Sequence, residues 1–162
     1  MTTTESDPTP TGPRRRVHQL AEVVSIASDF GVLWIAVSLA QVLVGRASLA
    51  AVVRRLGAAG ITSLVLTRLL KHFFAVPRRA GAATTTLART PSSSGFPSGH
   101  TLAAFASAVV LPRTRRGRVL ALMVASLVGW ARVEVGHHRA ADVVAGAAVG
   151  STAGAALAAV LG

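Results

Sequence analysis

Two histidines, His100 and His138, each lie among groups suited to holding and transferring an oxyanion such as phosphate. His138 belongs to the spacing Arg132-x5-His138-x3-Asp142. His138 and Asp142 stand at i and i+4, so they face each other where a helix is wound. A carboxylate accepting from one ring nitrogen fixes the tautomer and leaves the other nitrogen to attack an electrophile. Arg132 offers a planar fork that grips two phosphate oxygens. Adjacent His137 has Ala141 at i+4, so His138 is the stronger candidate.

His100 ends the run Pro97-Ser98-Gly99-His100 before an apolar stretch. Ser98 is placed to cap a helix whose first backbone N–H groups would point at an anion. Gly99 lets the backbone approach that anion without a Cβ in the way. His100 then stands ready as a proton donor. Lys71, the only lysine in the chain, and Arg78 are fixed cations that neutralise an anion before a nucleophile approaches. Each group also has a plainer use. Asp142 suits a helix N-terminus, and Lys71 and Arg78 suit snorkelling at a helix end. His18 and His72 have no partner pattern and fit an interfacial position.

These groups need a scaffold, and composition says which kind. The 162 residues have the length of one domain. They are 51% hydrophobic and 14% charged, with mean hydropathy +0.55, whereas soluble domains carry about a quarter of their residues as charged. Much of the surface therefore meets something other than water. Without cysteine, disulfides, thiolate metal sites and cysteine nucleophiles are excluded. The net charge of +11 does not indicate nucleic acid, because the arginines sit between apolar runs and Tyr is absent. They read as interfacial anchors for anionic headgroups. Residues 1–16 read as a disordered basic tail and 17–162 as the membrane domain, with no cleavable signal peptide.

Five apolar segments predict an all-α integral-membrane bundle of about five transmembrane helices: Phe30–Val44, Leu56–Phe74, Thr101–Leu111, Val119–Val133 and Ala141–Leu161. Val17–Ser28 is a more polar helix suited to the interface. Thr101–Leu111 is too short to span alone, so it must start within the protein or extend through its flanks. Gly146, Gly150 and Gly154, at i, i+4 and i+8, suit close packing within the chain or a homodimer contact. By parity the Lys71–His100 and Val135–Ala140 loops share one side. Arg46, Arg54, Arg55 and the Arg113–Arg118 turn share the other, which the positive-inside rule makes cytoplasmic. The reactive side is then extracytoplasmic in the cell membrane. The triple arginine at 14–16 argues the other way unless it docks on headgroups.

Lys71-x6-Arg78, Pro97-Ser98-Gly99-His100 and Arg132-x5-His138-x3-Asp142 together resemble the type 2 phosphatidic acid phosphatase superfamily, over residues 71–142. Its pattern is Lys-x6-Arg-Pro, then Pro-Ser-Gly-His, then Ser-Arg-x5-His-x3-Asp. Arg79 replaces the proline and Ala131 the serine, and neither change removes a reacting group. The resemblance implies a membrane lipid phosphatase with His138 as nucleophile forming a phosphohistidine and Asp142 orienting it. His100 would protonate the leaving oxygen, while Lys71, Arg78, Ser98, Gly99 and Arg132 hold the phosphate. It implies no metal and no cofactor. The substrate would be a lipid phosphate of the polyprenyl pyrophosphate, phosphatidylglycerol phosphate or phosphatidic acid type. Six spans are usual in the family's membrane form, and the five segments here leave its first without a counterpart. Vanadate-dependent halide oxidation and non-catalytic headgroup binding are the alternatives.

Overall fold

The computed structural model describes residues 12–74 and 95–162. Among them every regular element is helical: α1 (Pro13–Ser28), a 3-10 turn (Asp29–Gly31), α2 (Val32–Leu43), α3 (Leu49–Phe74), α4 (Gly99–Val110), α5 (Arg115–Glu134) and α6 (Ala140–Leu161). The five predicted apolar segments correspond to α2–α6, and the more polar helix expected at Val17–Ser28 corresponds to α1. α1 starts at Pro13, a residue favoured at a first helical position. Arg14–Arg16 are therefore helical rather than tail. The remainder of the expected tail, residues 1–11, lies outside the described residues.

α3 and α6 have 26 and 22 residues and are apolar enough to cross a membrane alone. At 1.5 Å per residue they run about 39 and 33 Å, past a hydrocarbon layer of about 30 Å. α2 has only 12 residues, so it is not the full span expected of Phe30–Val44. Its axis turns 68° from that of α1. The break is local: Asp29 is extended, and Gly31 adopts φ +72°, left-handed backbone that glycine enters without a Cβ penalty. α1 packs through Ala21 and Val24 on Ala131 and Val135, in the last turn and C-cap of α5. It thus lies at the end of the bundle where α3 and α5 finish and α4 and α6 begin.

The short helix α4 is the centre of the bundle, which explains how 12 residues suffice. Thr101, Leu102, Ala104, Ala106, Ser107, Ala108 and Val110 are all buried, between α3, α5 and α6. Exposed Leu120, Met123, Leu127, Val144 and Val160 give the bundle an apolar outer face suited to lipid. Against α6 the contact is nearly backbone to backbone. A Cβ on Gly146 would fall 2.6 Å from the Ser98 carbonyl oxygen, and one on Gly154 2.7 Å from that of Ala106. One on Gly150 would collide with the Leu102 carbonyl. The glycine row is therefore used for packing inside the chain, against α4, as its spacing suggested.

At the opposite end, arginines of α3 hold the ends of α4 and α6. Arg55 donates to the Val110 and Gly162 backbone oxygens at 3.4 and 3.1 Å, and Arg54 to Leu161 at 3.3 Å. Cations there meet carbonyls with no partner within their helix and complement the helix dipoles. Thr114 caps α5 by accepting from the Gly117 N–H at 3.0 Å.

The glycine row yields a stability test. Gly150→Ala should cost about 1–3 kcal/mol through overpacking, read as a lower unfolding temperature in detergent. Gly57→Ala, where a Cβ meets nothing within 4 Å, should be neutral or slightly stabilising. Equal behaviour of the two variants would refute the packing account.

Candidate active site

Lys71 ends α3, His100 begins α4, Arg132 ends α5 and His138 precedes α6, so helix polarity alone gathers them at one end. They line a single cleft of about 560 Å³, together with Gly99, Thr67, Ser63, Gly60, Trp34 and Leu64. Of the eight residues singled out by the motifs, the cleft takes in Lys71, Gly99, His100, Arg132 and His138. Ser98 and Asp142 are buried just behind it. Arg78, like Arg79, lies outside the described residues.

His138 is nearly enclosed, with its side chain 2% exposed. Nδ1 lies 2.9 Å from the Gly95 carbonyl oxygen. A carbonyl only accepts, so this contact places the proton on Nδ1 and leaves Nε2 with its lone pair. Asp142 was expected to fill that orienting role. Its Oδ2 is 3.7 Å from Nδ1, beyond hydrogen-bond reach, and accepts instead from the Arg139 N–H at 2.8 Å. The carboxylate caps α6 and remains close enough to favour a cationic ring electrostatically. His137 is also buried but does not line the cleft.

Ser98 occupies the N-cap position of α4, yet its hydroxyl does not cap. It accepts from the Thr101 hydroxyl at 2.9 Å, while the Ser98 N–H donates to the Asp142 carbonyl at 2.9 Å. That second bond ties the start of α4 to the start of α6. With no side chain capping it, the first turn of α4 keeps the orphan N–H groups that bind anions. Gly99 serves packing as well: a Cβ there would fall 2.9 Å from the Thr67 methyl.

Arg132 is 3% exposed and is held from α1, donating through Nη1 to the Ser25 hydroxyl at 2.7 Å and lying 3.5 Å from Asp29 Oδ1. The same Asp29 oxygen is 3.0 Å from His100 Nε2. Motif spacing missed Ser25, Asp29 and Gly95. Asp29 did leave a signal, since an acidic residue beside an apolar stretch in a basic chain marks a functional position. Gly95 contributes only backbone, which no side-chain pattern reveals. Among the described residues no three His, Asp or Glu side chains cluster as a metal site requires.

Over residues 49–161 the sequence matches the PAP2 superfamily. No curated protein matches it in sequence. Among solved structures it is similar to LpxE of Aquifex aeolicus, with 25% identity and TM-score 0.71 over 91% of this chain and 87% of that one. It also shares its fold with the first transmembrane PAP2 type phosphatidylglycerolphosphate phosphatase from Bacillus subtilis, at 21% identity and TM-score 0.69 over 91% and 76% of the two chains. The matched segment runs from α3 to α6 and carries every residue of the three motifs, so the chain belongs to the PAP2 superfamily of phosphatases.

Proposed function

We propose that this protein hydrolyses the phosphate monoester or pyrophosphate of a membrane lipid through a phosphohistidine on His138, without a metal. The observation that carries this reading is the convergence of Lys71, His100, Arg132 and His138 on one cleft whose remaining walls are largely apolar. Gly60, Ser63, Leu64, Thr67 and Lys71 line it from α3 at helical spacing. From Lys71 to Gly60 this stripe descends about 16 Å at 1.5 Å per residue, room for a lipid tail beneath a phosphate held at the top.

In the first step His138 Nε2 attacks phosphorus. The P–N bond forms as the bond to the leaving oxygen breaks, and that oxygen takes a proton from His100. Water then attacks the phosphohistidine and gives a proton to His100; the P–N bond breaks and inorganic phosphate departs. Lys71, Arg132 and Arg78 balance the charge on the transferring group, aided by the amides opening α4. The Gly95 carbonyl holds Nδ1–H throughout. LpxE and the phosphatidylglycerolphosphate phosphatase favour lipid phosphates as the class to test first.

The deciding measurement is phosphate release from polyprenyl pyrophosphate, phosphatidylglycerol phosphate and phosphatidate by purified protein in detergent. His138→Ala should lower turnover by several orders of magnitude, as loss of a covalent route does. His137→Ala should retain most of it, and the reverse result would move the nucleophile by one residue. A silent His138→Ala would favour the non-catalytic reading.

Metal independence has its own test. EDTA should leave turnover unchanged and orthovanadate should inhibit, because vanadate adopts the five-coordinate geometry of phosphoryl transfer. Loss in EDTA restored by Mg²⁺ would reject the mechanism.

Orientation rests on the four arginines between Leu111 and Val119, at the short α4–α5 connection and in the first turn of α5, where the charge bias is most reliable. We expect Arg113→Cys to resist an impermeant thiol reagent in intact cells and Ala140→Cys, exposed at the start of α6, to be labelled. The opposite pattern would turn the site to the cytoplasm.

A further inference from the structure

Asp29 lies outside all three motifs and outside the segment, 49–161, that matches the family. It opens the 3-10 turn at the break between α1 and α2. From there Oδ1 reaches His100 Nε2 of α4 at 3.0 Å and Arg132 Nη1 of α5 at 3.5 Å. The carboxylate is two-thirds shielded from solvent, with its side chain 34% exposed. In a chain with six acidic residues against 17 basic ones, one carboxylate bonded to two groups of the cleft is not a stray surface charge. Ser25, one turn earlier, grips the same Arg132 nitrogen at 2.7 Å.

The chemistry asks for such a group. A lipid phosphate ester has an aliphatic alcohol as its leaving group, and an alkoxide does not depart at neutral pH unless it is protonated as the P–O bond breaks. The imidazole that supplies the proton must be held in one orientation and kept cationic. Arg132 and Lys71 line the same cleft, so the fixed cations around His100 work against its charge. Asp29 is the carboxylate that contacts His100 and works for it.

We propose that Asp29 is the positioning residue of the general acid: it holds His100 through Nε2, leaving Nδ1–H to protonate the leaving oxygen. The inference rests on the reading of His100 as proton donor. His100 acts from its imidazolium form, with Nε2–H on Asp29 and Nδ1–H toward the substrate. It gives the Nδ1 proton to the departing alcohol and regains one from the water that hydrolyses the phosphohistidine. Asp29 keeps its charge throughout and touches no reacting atom. The arrangement mirrors His138, where a fixed acceptor on Nδ1 frees Nε2.

The test compares leaving groups, using the full chain in detergent with dioleoyl phosphatidate and with 4-nitrophenyl phosphate. The phenolate departs without protonation; the glycerol alkoxide does not. Asp29→Asn should lower kcat on phosphatidate on the order of 100-fold, at the lower end of what general acids contribute, with little change in KM. On the aryl ester the loss should be less than about tenfold, because proton donation contributes little there. His100→Ala should show the same asymmetry, and the double variant should be no slower than His100→Ala alone, as for residues acting as a unit. Asp29→Glu should recover part of the phosphatidate activity. It also serves as the reporter should Asp29→Asn fail to fold, since its smaller defect must again be confined to the alkyl ester.

Equal losses on both substrates, additive defects in the double variant, or wild-type turnover by Asp29→Asn would each overturn the proposal. The underlying reading fails separately. It falls if His138→Ala remains active, or if His100→Ala is indifferent to the leaving group. If those two variants behave as expected and Asp29→Asn does not, only the role of Asp29 is lost.

Discussion

The closeness of α6 to α4 is the constraint on which the site depends. With glycine at 146, 150 and 154, no side chain separates the two helices over about two turns, and carbonyl oxygens of α4 and its N-cap occupy the space a Cβ would take. Backbones in contact cannot slide without collision, so the register of one helix fixes that of the other. Both helices begin at the same end, and the Ser98 N–H bonds the Asp142 carbonyl across the joint. His100 and His138 therefore hold fixed relative positions, although 38 residues separate them in sequence. Two parallel helices also bring two positive dipole ends to one place, which favours an anion there.

Gathering positive charge in a poorly solvated cleft has a cost. A buried cation stripped of its partner destabilises a fold by about 3–5 kcal/mol, and Arg132 is nearly fully buried. Ser25 and Asp29 meet that demand from α1 and the 3-10 turn. α1 is thus more than a peripheral helix: its apolar face covers the end of α5 and its polar residues neutralise what α5 delivers. A bound phosphate would add the remaining negative charge, so affinity for the anion and stability of the site draw on the same electrostatic deficit.

The sequence made the bundle legible because apolar runs between arginine clusters have few other solutions, and it made the histidines legible because their spacing is rare. It misled where partners are distant or lack side chains. His138 and Asp142 do lie at i and i+4, but the nearer acceptor is a backbone carbonyl 43 residues away, which no local spacing encodes. Phe30–Val44 matches the 3-10 turn and α2 closely, with the boundary at the break that the left-handed glycine at 31 makes, but at 12 residues α2 is short for a span of its own. Small-residue stripes state that something approaches closely, not what. That the glycine row faces α4 rather than a second copy became clear only from the packing.

The departure from the family pattern at 131 acquires a reason in this setting. Where the family has serine beside its arginine, this chain has Ala131, fully buried against Ala21 of α1. A hydroxyl at that contact would have to find a partner between two apolar surfaces or lose one at a cost of about 1–3 kcal/mol. Alanine lets α1 lie flat on α5, and that contact brings Ser25 one turn further on to Arg132. Ser25, on a helix outside the family-matched segment, supplies the hydroxyl that holds Arg132. The helix that covers Ala131 leads directly into Asp29. The basic end of the cleft is thus completed by a segment joined to the family core at its N-terminal side, through contacts that only the folded chain creates.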